Sequence, residues 1–213
     1  MFSIQFHVMR AAIGDASKAL VTAPVGSFVH TNRLPGTSAA ATSAVKRAYQ
    51  RGELVRIRRG LYFKGAKTRY GTTRPSAEVI AVEVLGTTGA GPTGFSAARA
   101  LGLTTQVPAE PTMVVTGPVP SAVPGMKVST RGNLKRLALT SLEIAALELL
   151  RGDWETTVDE GWSALADAVG KAVAAGKLRW RELATAAESE RSPRLRKNLQ
   201  RLSEELQVSG TLT

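Results

Sequence analysis

Cysteine is absent from the 213 residues, and histidine occurs only at His7 and His30. The first absence excludes a disulfide framework and thiolate metal sites. The second leaves too few imidazoles for a typical zinc centre without cysteine, so both histidines read as packing or surface residues. No run approaches the roughly 20 apolar residues of a membrane span, and MFSIQFHVMR lacks the basic flank and cleavage site of a secretory signal. A cytoplasmic protein with no membrane partner is expected. Acidic residues are scarce in one region only. Residues 1–74 hold 13 lysines and arginines against Asp15 and Glu53, a net of +11, whereas residues 75–213 hold 15 basic against 15 acidic residues, a net of zero. The whole formal charge of +11 therefore sits in the first third. Such asymmetry points to a module for nucleic acid or another anionic surface, joined to a neutral partner module. A solvated basic face is the plain alternative.

The basic third centres on TSAAATSAVKRAYQRGELVRIRRGLYFK, residues 37–64. Ala41, Ala44, Val45 and Ala48 recur at the spacing of one helical face. Ser38, Thr42, Ser43, Lys46 and Gln50 fall opposite, with Arg47 at the border. Thr37 is suited to cap the helix, and Gly52 to stop it where a left-handed residue is cheapest. In LVRIR, Val55 and Ile57 should point one way and Arg56 and Arg58 the other. Arg59-Gly60 reads as a hairpin turn, and LYFK as the returning strand. A helix followed by a basic hairpin is the layout of a winged helix-turn-helix, in which the helix fits a DNA major groove and the hairpin lies along phosphates.

Along the rest of the chain, residues 2–12 fit a strand or a helix equally. Asp15 is a candidate N-cap for a helix to about Ala23. SFVH before Thr31 is a short strand or helix entry, and residues 65–74 are polar, basic and linker-like. Beyond them, PSAEVIAVEVL reads as a helix opened by Pro75 and closed by Gly86, and FSAARALGL as a short helix stopped at Gly102. PTMVVTG and MKVST read as strands, and Thr140-x-x-Glu143 as a capping box. The helix behind it stops at Gly152, and the pattern stays helical from Trp154 to about Val208, with Ser192-Pro193 opening the last helix. Trp154, Trp162 and Trp180 read as core anchors.

Little in this half carries catalytic chemistry. GTTGAGPTG, residues 86–94, lacks the Gly-Lys-Ser/Thr ending of a phosphate loop and a preceding parallel strand, so it reads as a flexible connection. Asp153, Glu155, Asp159, Glu160 and Asp167 form an acidic run that a metal-dependent enzyme could use. With no histidine beside it, a solvated or partner-docking face is the simpler reading. Arg191, Arg194, Arg196, Lys197 and Arg201 make the last helix basic.

GSFVHTNRL and AVKRAYQRGELVRIRRGLYFK together resemble the winged-helix module of AbiEi-type antitoxins. GFSAARALGLTTQVPAEPTMVVTG and LTSLEIAALELLR are similar to that family's second domain, so the likeness covers most of residues 25–151. The resemblance implies a bacterial toxin–antitoxin pair whose antitoxin binds double-stranded operator DNA, represses its own operon and opposes a nucleotidyltransferase-like toxin. Carried over, the DNA-contacting positions are Ser38, Thr42, Ser43, Lys46 and Arg47 on the helix and Arg56, Arg58 and Arg59 in the wing. The helix is alanine-rich where leucines are more usual, which implies a tighter approach to neighbouring helices or an offset of one turn. The expected architecture is α/β (α+β): a winged helix over residues 1–74, then a mainly helical domain with a small strand pair over residues 75–213. The expected function is that of a non-enzymatic antitoxin and autorepressor with no cofactor, with a homodimer on DNA left open. Its rivals are a plain transcription regulator and a nucleic-acid-modifying enzyme that uses the acidic run.

Overall fold

Around the expected recognition helix, α1 (residues 14–22), β1 (Ser27–His30), a 3-10 turn (Thr31–Arg33), α2 (Ser38–Gln50), β2 (Val55–Arg58) and β3 (Leu61–Lys64) follow in order. The three strands form an antiparallel sheet in the order β1-β3-β2. This is a winged helix whose second helix has shrunk to one 3-10 turn. The computed structural model describes residues 14–119 and 123–211, so the strand-or-helix expectation for residues 2–12 falls outside the described residues. The chain divides into two compact units, Met1–Ile80 and Ala81–Thr213.

Local chemistry explains the first unit. Thr37 Oγ1 accepts from the Ala40 N–H, and Ala40, Ala41, Ala44, Val45 and Ala48 form the buried stripe of α2. Gly52 follows the helix at φ 66°, a backbone region where an L side chain is strained. Within the stripe, Ala44, Val45 and Ala48 pack with Ala16, Leu20, Val29 and Leu54. Asp15 lies inside α1 rather than capping it. At the other end of α1, Lys64 Nζ donates to the carbonyls of Leu20, Val21 and Ala23 at 2.8, 2.8 and 2.6 Å. These include orphan acceptors of the last helical turn, so this lysine is spent on the fold.

The linker expected after the wing is instead a second hairpin, β4 (Lys67–Thr68) and β5 (Gly71–Thr72). Threonine hydroxyls close it. Thr68 Oγ1 donates to the Gly71 carbonyl at 2.8 Å, Thr73 Oγ1 accepts from the Ala66 N–H at 2.8 Å, and Thr72 Oγ1 donates to the Gly52 carbonyl at 2.8 Å.

The second unit is helical around a three-stranded sheet. Helix α3 (Ala77–Leu85) crosses the boundary between the units, with Ser76 rather than Pro75 at its entry. Then come β6 (Ala90–Pro92), α4 (Gly94–Ala100), β7 (Thr112–Thr116), β8 (Lys127–Arg131), a 3-10 turn (Leu134–Ala138) and α5 (Ser141–Glu148). A wide turn (Leu149–Asp153) leads to α6 (Trp154–Thr157), α7 (Gly161–Ala174), α8 (Trp180–Glu188) and α9 (Pro193–Val208). The sheet order is β6-β7-β8, with β6 antiparallel and β8 parallel to β7.

The expected strand pair thus has a third member, drawn from the glycine-rich stretch that read as a flexible connection. One of its glycines serves close packing. A Cβ on Gly91 would lie 2.6 Å from Ile144 Cβ and 2.7 Å from the Ser141 carbonyl, so only glycine lets α5 settle on β6. Gly91→Ala is expected to destabilise the protein by about 1–3 kcal/mol as an overpacked site. A urea midpoint unchanged from wild type would show that the helix has room to retreat.

Leu147, Leu150, Leu165, Leu183, Leu195 and Leu202 are fully buried where α5 and α7–α9 meet. Trp162 joins this core and donates to Glu205 Oε1 at 2.8 Å, while Trp154 and Trp180 pack at its edge. The capping box forms in full, Thr140 Oγ1 accepting from the Glu143 N–H and Glu143 Oε2 from the Thr140 N–H. Burial pushes the Glu143 carboxyl upward in pKa. The Arg179 guanidinium and two backbone N–H donors outweigh that and hold it at about 2. A depressed carboxylate contributes stability above its unfolded pKa and loses it as pH falls through the folded one. Unfolding free energy should therefore drop between pH 4.5 and about 2, and Glu143→Gln should flatten that part of the profile in acid denaturation.

Candidate nucleic-acid interface

On α2 the side opposite the alanine stripe is open to solvent along its length. Ser38, Thr42, Ser43 and Lys46 are all exposed. Arg47 is exposed at the border, its guanidinium a long 3.5 Å from Ser17 Oγ on α1. The helix has 13 residues, about 20 Å at 1.5 Å per residue. Its free face offers hydroxyls and one ammonium, groups that can donate to base edges or phosphates.

The wing departs from simple alternation. Its register runs Val55↔Phe63, Arg56↔Tyr62, Arg58↔Leu61, so a bulge at Ile57 separates the two arginines. Arg56 is exposed opposite Tyr62, and Arg58 is half-buried opposite buried Leu61. The expectation that both point to one open face is corrected: the extra residue re-aims Arg58. Arg59 is exposed at the turn, where Gly60 has φ 78°. The Gly60 carbonyl accepts from the Thr31 N–H at 2.9 Å, stitching the tip to the 3-10 turn. Between wing tip and helix start lies an open cleft of about 520 Å³, lined among others by Thr31, Ser38, Ala41, Arg58 and Arg59.

Of the eight expected positions, seven are thus exposed on α2 or the wing, and Arg58 lines the cleft. Four residues escaped sequence reasoning: Lys67, Arg69, Tyr70 and Arg74 are exposed on or beside the second hairpin. Their charge was legible, but the threonines and glycines around them have the composition of a linker. Arg51, also basic and exposed, is engaged by Glu53 through two contacts of 2.7 and 3.0 Å.

Several charged residues of the second unit are engaged within the fold. Asp153 Oδ2 accepts from Thr93 Oγ1 and the Gly94 N–H at the start of α4, at 3.0 and 3.1 Å. Asp159 accepts from Thr104 Oγ1 at 3.1 Å, and Asp167 pairs with Lys171 at 2.6 Å. Glu155 pairs with Arg194, Arg196 donates to the Glu190 carbonyl, and Arg201 pairs with Glu205. Among the described residues no three histidine or acidic groups converge on a metal-sized site, and no helix is long and apolar enough to cross a membrane. An open cleft of about 780 Å³ runs between the α4–β7 connection and α7, with Leu101, Leu103, Leu142 and Ala168 beside Asp159 and Glu160.

A family model described as "Family of unknown function (DUF6088)" matches residues 17–134, more than half of the chain. No curated protein matches. Among solved structures, the crystal structure of the RV2827C protein from Mycobacterium tuberculosis is similar, with a TM-score of 0.52 at 12% identity. That likeness covers 92% of this chain and 77% of the other, and at such identity it speaks for the fold alone.

Proposed function

The chain belongs to the DUF6088 family, whose function is unknown, and from that premise we propose that it is a DNA-binding antitoxin. Its winged helix binds double-stranded operator DNA and represses its own operon. Its second unit neutralises a nucleotidyltransferase-like toxin, as the resemblance to AbiEi-type antitoxins implies. The observation that carries the DNA half is the coincidence of charge and shape: the net charge of +11 lies in residues 1–74, around an exposed polar helix face flanked by basic hairpins. Phosphate contacts from such a surface supply affinity, and base contacts from the helix supply sequence preference. The protein acts here by binding, without catalysis or a cofactor, in the cytoplasm.

Arg56 and Arg59 work on phosphates. Alanine at either should weaken specific and random duplexes alike and lower the slope of log affinity against log salt by about 1. An unchanged slope in both variants would remove the wing from the interface.

A second reading, a plain regulator whose second unit takes a ligand or another protein, is favoured by the 780 Å³ cleft. Growth assays separate the two. The full chain carrying Lys46→Ala, Arg56→Ala and Arg59→Ala should lose promoter repression and still protect cells from the toxin encoded beside it. Absence of protection by the wild-type chain would leave the regulator.

A further inference from the structure

We propose that the β4–β5 hairpin is a second DNA-binding element, which grips the duplex beyond the C-terminal end of α2; the inference rests on the DNA-binding reading above. The two basic hairpins of the first unit stand at opposite ends of α2. The wing tip is joined to the 3-10 turn through Thr31 and Gly60 and shares a cleft with Ser38, in the first turn of the helix. The second hairpin is joined to the other end, where Thr72 Oγ1 donates to the carbonyl of Gly52 just past the last turn. A helix of about 20 Å whose first turns enter a groove about 12 Å wide carries its last turn toward the groove wall. An element fixed to its end therefore meets the sugar–phosphate backbone.

What this hairpin presents suits that position. Lys67, Arg69 and Arg74 are exposed, and Glu53, the carboxylate that feels the charge of Lys67, is already held by Arg51. The Arg69 guanidinium sits 4.6 Å over the ring of Tyr70, whose exposure of 84% is unusual for an aromatic side chain. That stack holds the arginine at the hairpin tip without burying its N–H donors, which suit phosphate oxygens. The hairpin is fixed as well as charged. Gly65 admits no Cβ, which would fall 2.1 Å from the Thr73 carbonyl, and Ala66 and Thr73 exchange two hydrogen bonds. Lys67, Arg69 and Arg74 each hold a phosphate beside the α2 site, with Tyr70 backing Arg69.

The test uses the full chain, with a duplex carrying the sequence upstream of its own gene and a random duplex of equal length. Lys67→Ala/Arg69→Ala/Arg74→Ala should lower the salt slope by about 3 on both duplexes, near 0.9 per lost phosphate contact. It should keep the preference for the upstream sequence and lose hydroxyl-radical protection at the outer edge of the footprint. Arg69→Gln, a milder change at an exposed position, should lower the slope by about 1 and keeps the question answerable if the triple variant folds poorly. An unchanged slope and footprint for the hairpin variants, alongside weakened binding by Arg56→Ala, would overturn this inference and leave the DNA-binding reading intact. Failure of the wild-type chain to bind either duplex would overturn both. Loss of binding to single-stranded RNA alone would reassign the hairpin and contradict the proposal.

Discussion

Arg136→Met is expected to lower the unfolding free energy by about 3–5 kcal/mol, the range found when one partner of a buried ion pair is removed. Arg136 has no solvent exposure and lies between two buried carboxylates. Its Nη1 stands 2.6 Å from Glu148 Oε1, and its Nε donates to Glu190. Arg131 reaches the same Glu148 at 2.6 Å, and Arg151 reaches Glu190, both from the half-exposed margin. Burial pushes the Glu190 carboxyl upward in pKa, and Arg136, Arg151 and Asn133 together hold it below its ordinary value. Methionine would fill much of the volume and leave both carboxylates with only their marginal partners. Arg131→Ala should cost much less, nearer the value of about 1 kcal/mol or below for partly solvated pairs. Urea unfolding of the two variants measures the contrast. Equal losses would mean that Arg136 is no more than one member of a surface network.

Alanine at Thr42, Ser43 or Lys46 should reduce discrimination between operator and random DNA by about 1–3 kcal/mol for each side chain that reads a base. The same change at Arg56 or Arg59 should leave discrimination intact while lowering affinity. The difference follows from position. The α2 face carries the groups that fit a major groove, where each base pair shows a distinct set of donors and acceptors. The wing carries guanidiniums, which suit phosphates, and phosphates are alike at every step. Variants of α2 that keep full operator preference would mean that another element enters the groove.

What was legible in the sequence was local. The alanine stripe of α2, its Thr37 cap, Gly52 after its end and the Thr140–Glu143 box each depend on residues within a few positions, so spacing alone revealed them. Arrangements that depend on distant partners stayed hidden. Gly91 looked like loop chemistry because Ile144, the residue that demands a glycine there, lies 53 positions away in the chain. The second hairpin is fixed by Thr72 on Gly52, 20 residues back. Threonine and glycine alone do not separate such a ribbon from a linker. In the wing, one bulge at Ile57 was enough to turn Arg58 from the open face toward the cleft. The acidic run looked like a possible site because its partners, Thr93, Thr104 and Arg194, come from distant stretches of the chain.

The central claim is that the exposed face of α2 and its flanking hairpins form a sequence-preferring surface for duplex DNA. The most direct measurement is a fluorescence-anisotropy titration of the full chain with the duplex upstream of its own gene and with a random duplex, each at several salt concentrations. The account predicts tighter binding to the upstream duplex and a steep fall in affinity with salt on both, the slope reflecting several released counterions. Equal affinity for the two duplexes, or binding that salt does not weaken, would contradict it.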